Sequence, residues 1–167
     1  MDTEVKLQNI GLPASPAYDN RIRISELSNE DNLPLDELGK AFSLTRFHCD
    51  PHIDEVKADE LWVSYIKNFK PSESKRMFIA RFGNEIAGAV IVNITKVEVF
   101  LFFVAVIEKY RGKSIGSATI ETILGGLNLS LPICTGTQAK NISAINFYIK
   151  NGFSRVVQTN TVLHYWG

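Results

Sequence analysis

The chain has 167 residues, of which 45% are hydrophobic and 22% charged, and this composition predicts one globular domain with a substantial core. Its 18 basic and 18 acidic side chains balance, which argues against a dedicated nucleic-acid binder because such domains usually carry a basic face. The longest apolar run, Val99–Ile107, is too short to cross a bilayer, so no membrane partner is expected.

The N-terminal segment, residues 1–20, mixes charges with glycine and proline. We expect a loosely ordered arm, or at most an extra strand, ahead of a single domain over residues 21–167. The first eight residues contain no apolar core, so no signal peptide is predicted. The two cysteines, Cys49 and Cys134, are expected to be reduced thiols of a cytoplasmic protein, with a single disulfide as the alternative.

Hydrophobic periodicity and turn residues predict the remaining elements. Four helices are expected, at about Leu35–Phe42, Asp54–Phe69, Ser114–Leu124 and Asn141–Asn151. The strands are expected at Arg21–Ser25, Met77–Phe82, Glu85–Ile94, Val97–Val106, Leu131–Gly136, Ser154–Thr159 and Thr161–Trp166. This order predicts a mixed sheet flanked by helices, with parallel pairing only where a helix crosses over.

The turn Tyr110–Ser117 lies between an apolar strand and a helix. The first N–H groups of a helix have no internal partner, and the helix dipole favours an anion there. Lys109, Arg111 and Lys113 add positive charge at the same place. The turn therefore predicts a site for a pyrophosphate-bearing ligand, with an ordinary strand-to-helix loop as the alternative.

A family resemblance rests first on this turn. The pattern Arg111-x-x-Ser114-x-Gly116 resembles the acyl-coenzyme A signature of the GCN5-related N-acetyltransferases (GNAT). Ser114 departs from the signature, because the family usually has glycine there and serine resists a positive φ.

A second signature of the same family is similar to the helix that starts near Asn141. The matching residues are Asn141, Ala144, Phe147, Tyr148, Gly152 and Phe153. The resemblance implies an α/β (α+β) GNAT fold, with a mixed, mostly antiparallel sheet of about seven strands and about four helices. It implies acetyl-CoA or another acyl-CoA as co-substrate and no metal.

The resemblance also implies the residues that bind this co-substrate. Backbone groups of the central strand would bind the pantetheine arm in a splayed gap, and the turn would bind the pyrophosphate. The residues are Phe103, Val104, Ala105, Val106, Arg111, Gly112, Lys113, Ser114, Ile115, Gly116, Ser117, Asn141, Ala144 and Phe147.

Side chains on the last predicted helix, on the central strand and in an early loop are candidates for proton transfer. Tyr148 occupies the position of the family's tyrosine near the thioester sulfur, and a phenol can donate a proton to a departing thiolate. A packing tyrosine is the alternative. Glu98 is a possible base, and His48, Asp50 and His52 of the early loop are further candidates. The alternatives are a solvated strand-end charge for Glu98, ordinary loop residues for the histidines, and a base formed by a water chain.

A third segment, Thr45–Asn68, resembles nucleotide-sugar N-acetyltransferases similar to TDP-fucosamine acetyltransferase, although the longer N-terminal region of those enzymes is mostly missing. It implies a nucleotide-linked amino sugar as the acceptor. The implied acceptor-binding residues are Arg46, Phe47, His48, Asp50 and His52. A zinc site at His48-x-Asp50-x-His52 and a surface salt bridge for Arg46 are the alternatives.

The leading functional prediction is therefore direct transfer of an acyl group from acyl-CoA to a primary amine. The alternatives are N-acetylation of another small amine or a protein N-terminus, and a non-catalytic CoA-binding module. A homodimer through the last strands, Thr161–Trp166, is plausible because that segment is apolar.

Overall fold

The computed structural model describes residues 2–11, 17–42, 45, 47–48, 50–127 and 130–162. The strands are β1 (Asp2–Gln8), β2 (Ile22–Glu26), β3 (Lys75–Phe82), β4 (Glu85–Ile94), β5 (Val99–Val106), β6 (Ile133–Gln138) and β7 (Arg155–Val162). The helices are α1 (Leu35–Gly39), α2 (Glu55–Lys67), α3 (Ile115–Gly126) and α4 (Ile142–Lys150), and a one-turn 3₁₀ helix covers Glu108–Tyr110.

The strands form one sheet of seven, in the order β2-β3-β4-β5-β6-β1-β7. All neighbouring pairs are antiparallel except β5 and β6, which are parallel and are connected through α3. This architecture confirms the predicted α/β fold, a mixed and mostly antiparallel sheet with four helices.

Strand β1 is the extra strand that the sequence analysis gave as the alternative to a loosely ordered arm. Residues 2–8 lie inside the sheet and pair with both β6 and β7. On one face of β1 are Val5 and the fully buried Leu7, and on the other are Asp2, Glu4 and Lys6. The strand is hard to recognise in the sequence, because three charged residues occupy one face and only two apolar residues mark the buried face.

The C-terminal region is also simpler than predicted. A single strand, β7, replaces the predicted break between Ser154–Thr159 and Thr161–Trp166. Asn160, which suggests a turn in the sequence, pairs in register with Glu4 and continues the strand. Residues 163–166 of the second predicted strand lie outside the described residues.

The helix ends mostly follow the predicted caps. The Asp54 carboxylate accepts a hydrogen bond from the Val56 N–H at 2.9 Å, and Asn141 Oδ1 accepts one from the Ala144 N–H at 3.1 Å. Helix α3 runs on to Gly126, although the sequence predicts that it ends before the two glycines.

Two buried clusters cover the two faces of the sheet. Helices α1 and α2 pack on one face through Leu38, Trp62 and Ile66. Helices α3 and α4 pack on the other, where Ile120 and Tyr148 are buried. Within the parts of the chain that the structure describes, none of the helices has the length and apolar character needed to cross a bilayer.

Strand β5 contains the irregularity that opens the sheet. Its register against β4 shifts so that Phe102 has no partner there, which makes it a β-bulge. The side chains of Phe102 and Phe103 consequently both approach the Trp62 ring, with centroids 6.2 and 5.9 Å away.

The parallel pairing of β5 with β6 is short. It covers only Val99–Leu101 against Ile133–Thr135, and both strands continue beyond it without pairing to each other. A gap therefore opens between β5 and β6 from Phe102 and Gly136 onwards. Backbone groups along the edges of this gap have no β5–β6 partner.

Candidate active site

A cavity of about 880 Å³ passes through this gap from one face of the sheet to the other. We call its part on the α3 and α4 side the turn half. It is lined by Val104, Val106, Arg111, Gly112, Ser114, Ile115, Gly116, Ser117, Thr137, Asn141, Ser143, Ala144, Phe147, Tyr148 and Lys150. The part on the α1 and α2 side is the aromatic half. It is lined by Glu4, Ala41, Phe42, Thr45, Phe47, Leu61, Trp62, Tyr65, Phe100, Phe102, Gly136 and Gln138.

The turn before α3 presents free backbone donors to the turn half. The first hydrogen bond of the helix joins the Ala118 N–H to the Ser114 carbonyl, so the N–H groups of residues 115–117 have no acceptor within the helix. Ser114 has φ 60° and Gly112 has φ 77°. Ser114 thus adopts the left-handed conformation of the glycine that it replaces, at a cost of about 1–2 kcal/mol.

Gly116 has a packing role in this turn. A Cβ atom there would lie 3.0 Å from Cζ of Phe147 and 3.4 Å from Val106. The glycine therefore lets the start of α3 approach the Phe147 ring on α4 closely. A larger side chain at this position would displace the Phe147 ring, whether or not a ligand is bound.

The basic side chains of the turn divide into two groups. Arg111 lines the cavity, where its Nε donates to the Val106 carbonyl at 3.3 Å and Nη2 donates to the Ala41 carbonyl at 3.1 Å. Because a guanidinium has five N–H donors, others stay available for an anion. Lys113 is not among the lining residues, and its ammonium lies 5.4 Å from the centroid of the Phe82 ring. The Lys113 ammonium therefore lies away from the cavity lining in this arrangement.

The four residues of β5 that were predicted to bind the co-substrate point alternately to the two faces of the sheet. Val104 and Val106 line the turn half, while Phe103 and Ala105 are buried in the core beneath α1 and α2. For Phe103 and Ala105 only backbone groups can therefore serve a ligand in the gap, as predicted for a pantetheine arm.

Tyr148 lies where α4 meets the gap. Its side chain is 7% exposed, and its ring makes edge contacts with those of Phe147 and Phe153. Burial raises the pKa of the Tyr148 phenol, and a hydrogen bond with Thr135 acts in the opposite direction. The phenol is therefore protonated at neutral pH and can act as a proton donor.

Glu98 is far less suited to the role of a base than the sequence predicts. Its carboxylate is bound by the Lys6 ammonium at 2.6 Å, and Glu98 is not among the residues that line the cavity. The partner comes from β1, in the segment that the sequence analysis predicted to be an arm or at most an extra strand.

The predicted acceptor loop contributes only partly to the cavity. Phe47 lines the aromatic half, and Arg46 lies outside the described residues. His48 is 3% exposed, with Nδ1 2.7 Å from Thr45 Oγ1 and Nε2 3.1 Å from Asp59 Oδ1. The imidazole therefore ties the loop to α2 and does not face the cavity.

The other two polar residues of the loop also serve the loop itself. Oδ1 of the buried Asp50 accepts a hydrogen bond from the His52 N–H at 2.9 Å, and neither residue lines the cavity. Within the described ranges, no three His, Cys, Asp or Glu side chains form a group that could hold a metal ion.

The aromatic half contains residues that the sequence did not assign to a site. Trp62 and Tyr65 follow the apolar stripe of α2, which looked like core, and their rings flank Phe102. The doublet Phe102-Phe103 in a strand gave a weak signal, because a bulge is required to bring both rings to one face. Nothing in the sequence around Glu4 indicates a site, since its position in the cavity wall depends on strand pairing with distant residues.

Comparisons with known proteins agree with this geometry. Residues 73–155 match the family model described as an acetyltransferase (GNAT) domain. This segment begins just before β3, ends at the start of β7, and contains the whole turn half. No curated protein sequence matches the chain.

Solved structures with the same fold include three acetyltransferases. A GNAT family acetyltransferase from Elizabethkingia anophelis with acetyl-CoA bound is 22% identical, with a TM-score of 0.56 over 79% of this chain and 75% of that one. The aminoglycoside acetyltransferase meta-AAC0020 from an uncultured soil metagenomic sample, in complex with trehalose, is 15% identical, with a TM-score of 0.55 over 89% of this chain and 97% of that one.

The third structure is the ribosomal-protein-S18-alanine N-acetyltransferase from Escherichia coli. It is 22% identical, with a TM-score of 0.54 over 78% of this chain and 76% of that one. At these identities the likeness shows the shared fold. Together with the family match it defines the class of protein: the chain carries an acetyltransferase domain of the GNAT superfamily and is an N-acetyltransferase of that type.

Proposed function

We propose that the protein transfers an acyl group, in the simplest case acetyl, from acyl-CoA to a primary amine by direct attack. The observation that carries this proposal is the cavity through the β5–β6 gap. It connects an anion-binding turn and a buried tyrosine on one face to an aromatic pocket on the other. The two substrates can therefore enter from opposite faces and meet inside the sheet.

Acyl-CoA is assigned to the turn half. The pyrophosphate binds the free N–H groups of residues 115–117 and the N–H groups that Arg111 still offers. The pantetheine arm extends along the open edge of β5, beside Val104 and Val106. The acetyl-CoA bound to the Elizabethkingia anophelis relative supports this co-substrate.

Tyr148 is assigned as the general acid. The amine nitrogen attacks the thioester carbonyl carbon, the carbon–sulfur bond breaks, and the departing sulfur takes the phenolic proton. The nitrogen passes its surplus proton to water, and the tyrosinate regains a proton from solvent. The raised pKa of Tyr148 suits this role, because the proton stays on the phenol until the thiolate forms.

Direct attack is favoured over a covalent acyl-enzyme. Cys134 is buried, its thiol has a raised pKa owing chiefly to burial, and it does not line the cavity. A thiol that stays protonated is a poor nucleophile. Cys49 lies outside the described residues.

The acceptor that we propose is an amino sugar, carried on a nucleotide as the sequence resemblance implies. The supporting observation is the aromatic half, since the rings of Phe102, Trp62 and Tyr65 can pack against the apolar C–H face of a pyranose. The relative in complex with trehalose is consistent with this fold accepting sugars.

A thiol-release assay tests this function. The protein is incubated with acetyl-CoA and, in separate reactions, with TDP- and UDP-linked amino sugars, free amino sugars and simple amines. Released CoA is measured, and product masses are determined by mass spectrometry. We expect amine-dependent release of CoA and a product heavier than the amine by one acetyl group. Tight CoA binding without turnover of any amine would instead indicate a non-catalytic binding module.

We also propose a homodimer through the edge of the sheet at β7. Strand β7 is the last strand at one edge of the sheet, and its residues Val156 and Val157 are 59% and 42% exposed. Light scattering should give twice the mass of one chain, and Val156→Lys should give monomers. A monomer at micromolar concentration of the unmodified protein would rule the dimer out.

A further inference from the structure

Glu4 is the one carboxylate among the described residues that line the cavity. It lies in the aromatic half, far from the turn in sequence. Within the described part of the chain, its side chain has no hydrogen bond or ion pair. A half-buried charge without a partner, beside a ligand-sized cavity, is available to a ligand.

The other charges on the same face of β1 are compensated. Lys6 binds Glu98 at 2.6 Å, and Asp2 lies 3.8 Å from the Lys140 ammonium. Side chains at alternate positions of a strand share a face, so Asp2, Glu4 and Lys6 can be compared directly. Strand β1 thus leaves one uncompensated negative charge on this face, and that charge borders the cavity.

The strand register gives Glu4 two amide neighbours. Gln138 on β6 and Asn160 on β7 lie directly opposite it, so the three side chains share one face. Gln138 also lines the cavity at the end of β6, where the strand borders the gap. Amide groups can hydrogen-bond both a carboxylate and the polar groups of a ligand.

Aromatic rings line the same half of the cavity as Glu4. The Phe102 ring lies 5.2 Å from that of Tyr65 and 6.2 Å from that of Trp62. The Phe100 ring lies beside Gly136 and already faces a cation of the chain, because the Lys6 ammonium lies 5.6 Å from its centroid. Aromatic faces attract cations, and a carboxylate beside them repels anions. The chemistry of this half therefore fits an ammonium group.

We propose that Glu4, with the aromatic side chains that line the same half of the cavity, forms an ammonium subsite that selects acceptors whose amine arrives as a cation and holds that amine near the β5–β6 gap. The subsite deepens the proposed function and rests on it. Glu4 binds the charged amine, and the nitrogen becomes nucleophilic once its proton passes to water. The chain's own N-terminal strand thereby supplies acceptor specificity.

The first test does not depend on acyl transfer. Benzyltrimethylammonium, which cannot be acylated, is titrated into the full chain by isothermal calorimetry. We expect binding to the unmodified protein and a Kd raised about tenfold in Glu4→Gln, because the substitution removes the Coulombic attraction between the carboxylate and a cation that has no N–H to donate. No binding to the unmodified protein, or equal binding to Glu4→Gln, would overturn the subsite.

Matched variants separate this role from a structural one. Asp2→Asn removes a carboxylate from the same face of the same strand, outside the cavity, and should leave the Kd unchanged. Glu4→Asp keeps the charge and should retain most of the affinity, which keeps the proposal testable if Glu4→Gln unfolds. An equal loss in Asp2→Asn would contradict the assignment to Glu4.

The second test uses the reaction. Benzylamine is charged at neutral pH and O-benzylhydroxylamine, of similar shape, is not. The ratio of their kcat/KM values should fall about tenfold or more in Glu4→Gln, with the KM for acetyl-CoA unchanged. An unchanged ratio would overturn the subsite. If no amine is acylated at all, the proposed function fails, while the titration still decides whether the ammonium subsite exists.

Discussion

The two halves of the cavity differ in how the chain builds them. The turn half comes mainly from one continuous stretch, from the end of β5 to α4. The aromatic half draws on β1, the α1–α2 region, the β5 bulge and the end of β6. The first half is therefore a local motif, whereas the second exists only when distant segments pair and pack. We expect substitutions in the two halves to affect different substrates.

The largest expected effect is that of Tyr148→Phe. Loss of a proton donor should lower kcat by about 10²- to 10⁴-fold while the Kd for acyl-CoA and the Tm stay near their original values. Tyr65→Phe removes a phenol from the aromatic half and is the matched control, with a much smaller expected effect on kcat. Near-normal turnover in Tyr148→Phe would remove this tyrosine from the chemistry.

The pH dependence of kcat offers a second view of Tyr148. Burial raises the pKa of its phenol above the ordinary value near ~10, so the protonated form persists through neutral and mildly alkaline pH. Ionisation of Tyr148 should therefore cause no fall in kcat below about pH 10. A fall at lower pH that disappears in Tyr148→Phe would contradict this assignment.

Ser117→Asp should affect the turn half alone. Ser117 lies in the first turn of α3 and lines the cavity, so a carboxylate there would repel the pyrophosphate. We expect the Kd for acyl-CoA to rise about tenfold or more, although the helix itself gains about 0.3–1 kcal/mol from an acidic residue at its N-terminus.

The neutral Ser117→Asn is the matched control for size and should bind acyl-CoA nearly normally. This pair is cleaner than Gly116→Val, which would displace the Phe147 ring. Equal affinity of Ser117→Asp and Ser117→Asn would mean that the pyrophosphate binds elsewhere.

Phe102→Ala should affect the aromatic half alone. This ring is 37% exposed and faces Trp62 and Tyr65, so its loss should cost little stability. We expect the KM for the amine to rise roughly tenfold, through lost stacking and cation–π contact, with the Kd for acyl-CoA unchanged. The exposed Ile142, which does not line the cavity, provides the control Ile142→Ala. Weaker acyl-CoA binding in Phe102→Ala would show that the halves are not separate.

The smallest effect is expected for Ser114→Gly. Glycine relieves the left-handed strain of about 1–2 kcal/mol at φ 60°, and its greater freedom in the unfolded chain offsets about 0.5–1 kcal/mol of this. The Tm should rise by about 2 °C in calorimetry. Ser114→Val should lower it, because a β-branched residue tolerates this conformation least. A lower Tm for Ser114→Gly would contradict the claim that the Ser114 backbone is strained.

The difference between the local turn half and the non-local aromatic half explains which parts of the site could be predicted from the sequence. The turn, the caps Asp54 and Asn141, and Tyr148 follow from short-range rules, because a strand, a turn and a helix start are encoded by neighbouring residues. Glu4, Phe100 and Phe102 could not be assigned to a site, since their positions depend on the pairing of β1 with β6 and on the bulge. His48, which the resemblance assigned to the acceptor site, contacts Asp59, and Glu98, a possible base, contacts Lys6.

Steady-state kinetics with both substrates varied tests the central claim, that acyl-CoA and an amine meet in one cavity and react directly. Thiol release is measured over a grid of acetyl-CoA and amine concentrations, and the reciprocal plots are compared. Direct transfer within a ternary complex predicts intersecting lines. Parallel lines, with CoA released before the amine binds, would demonstrate an acyl-enzyme and contradict the account.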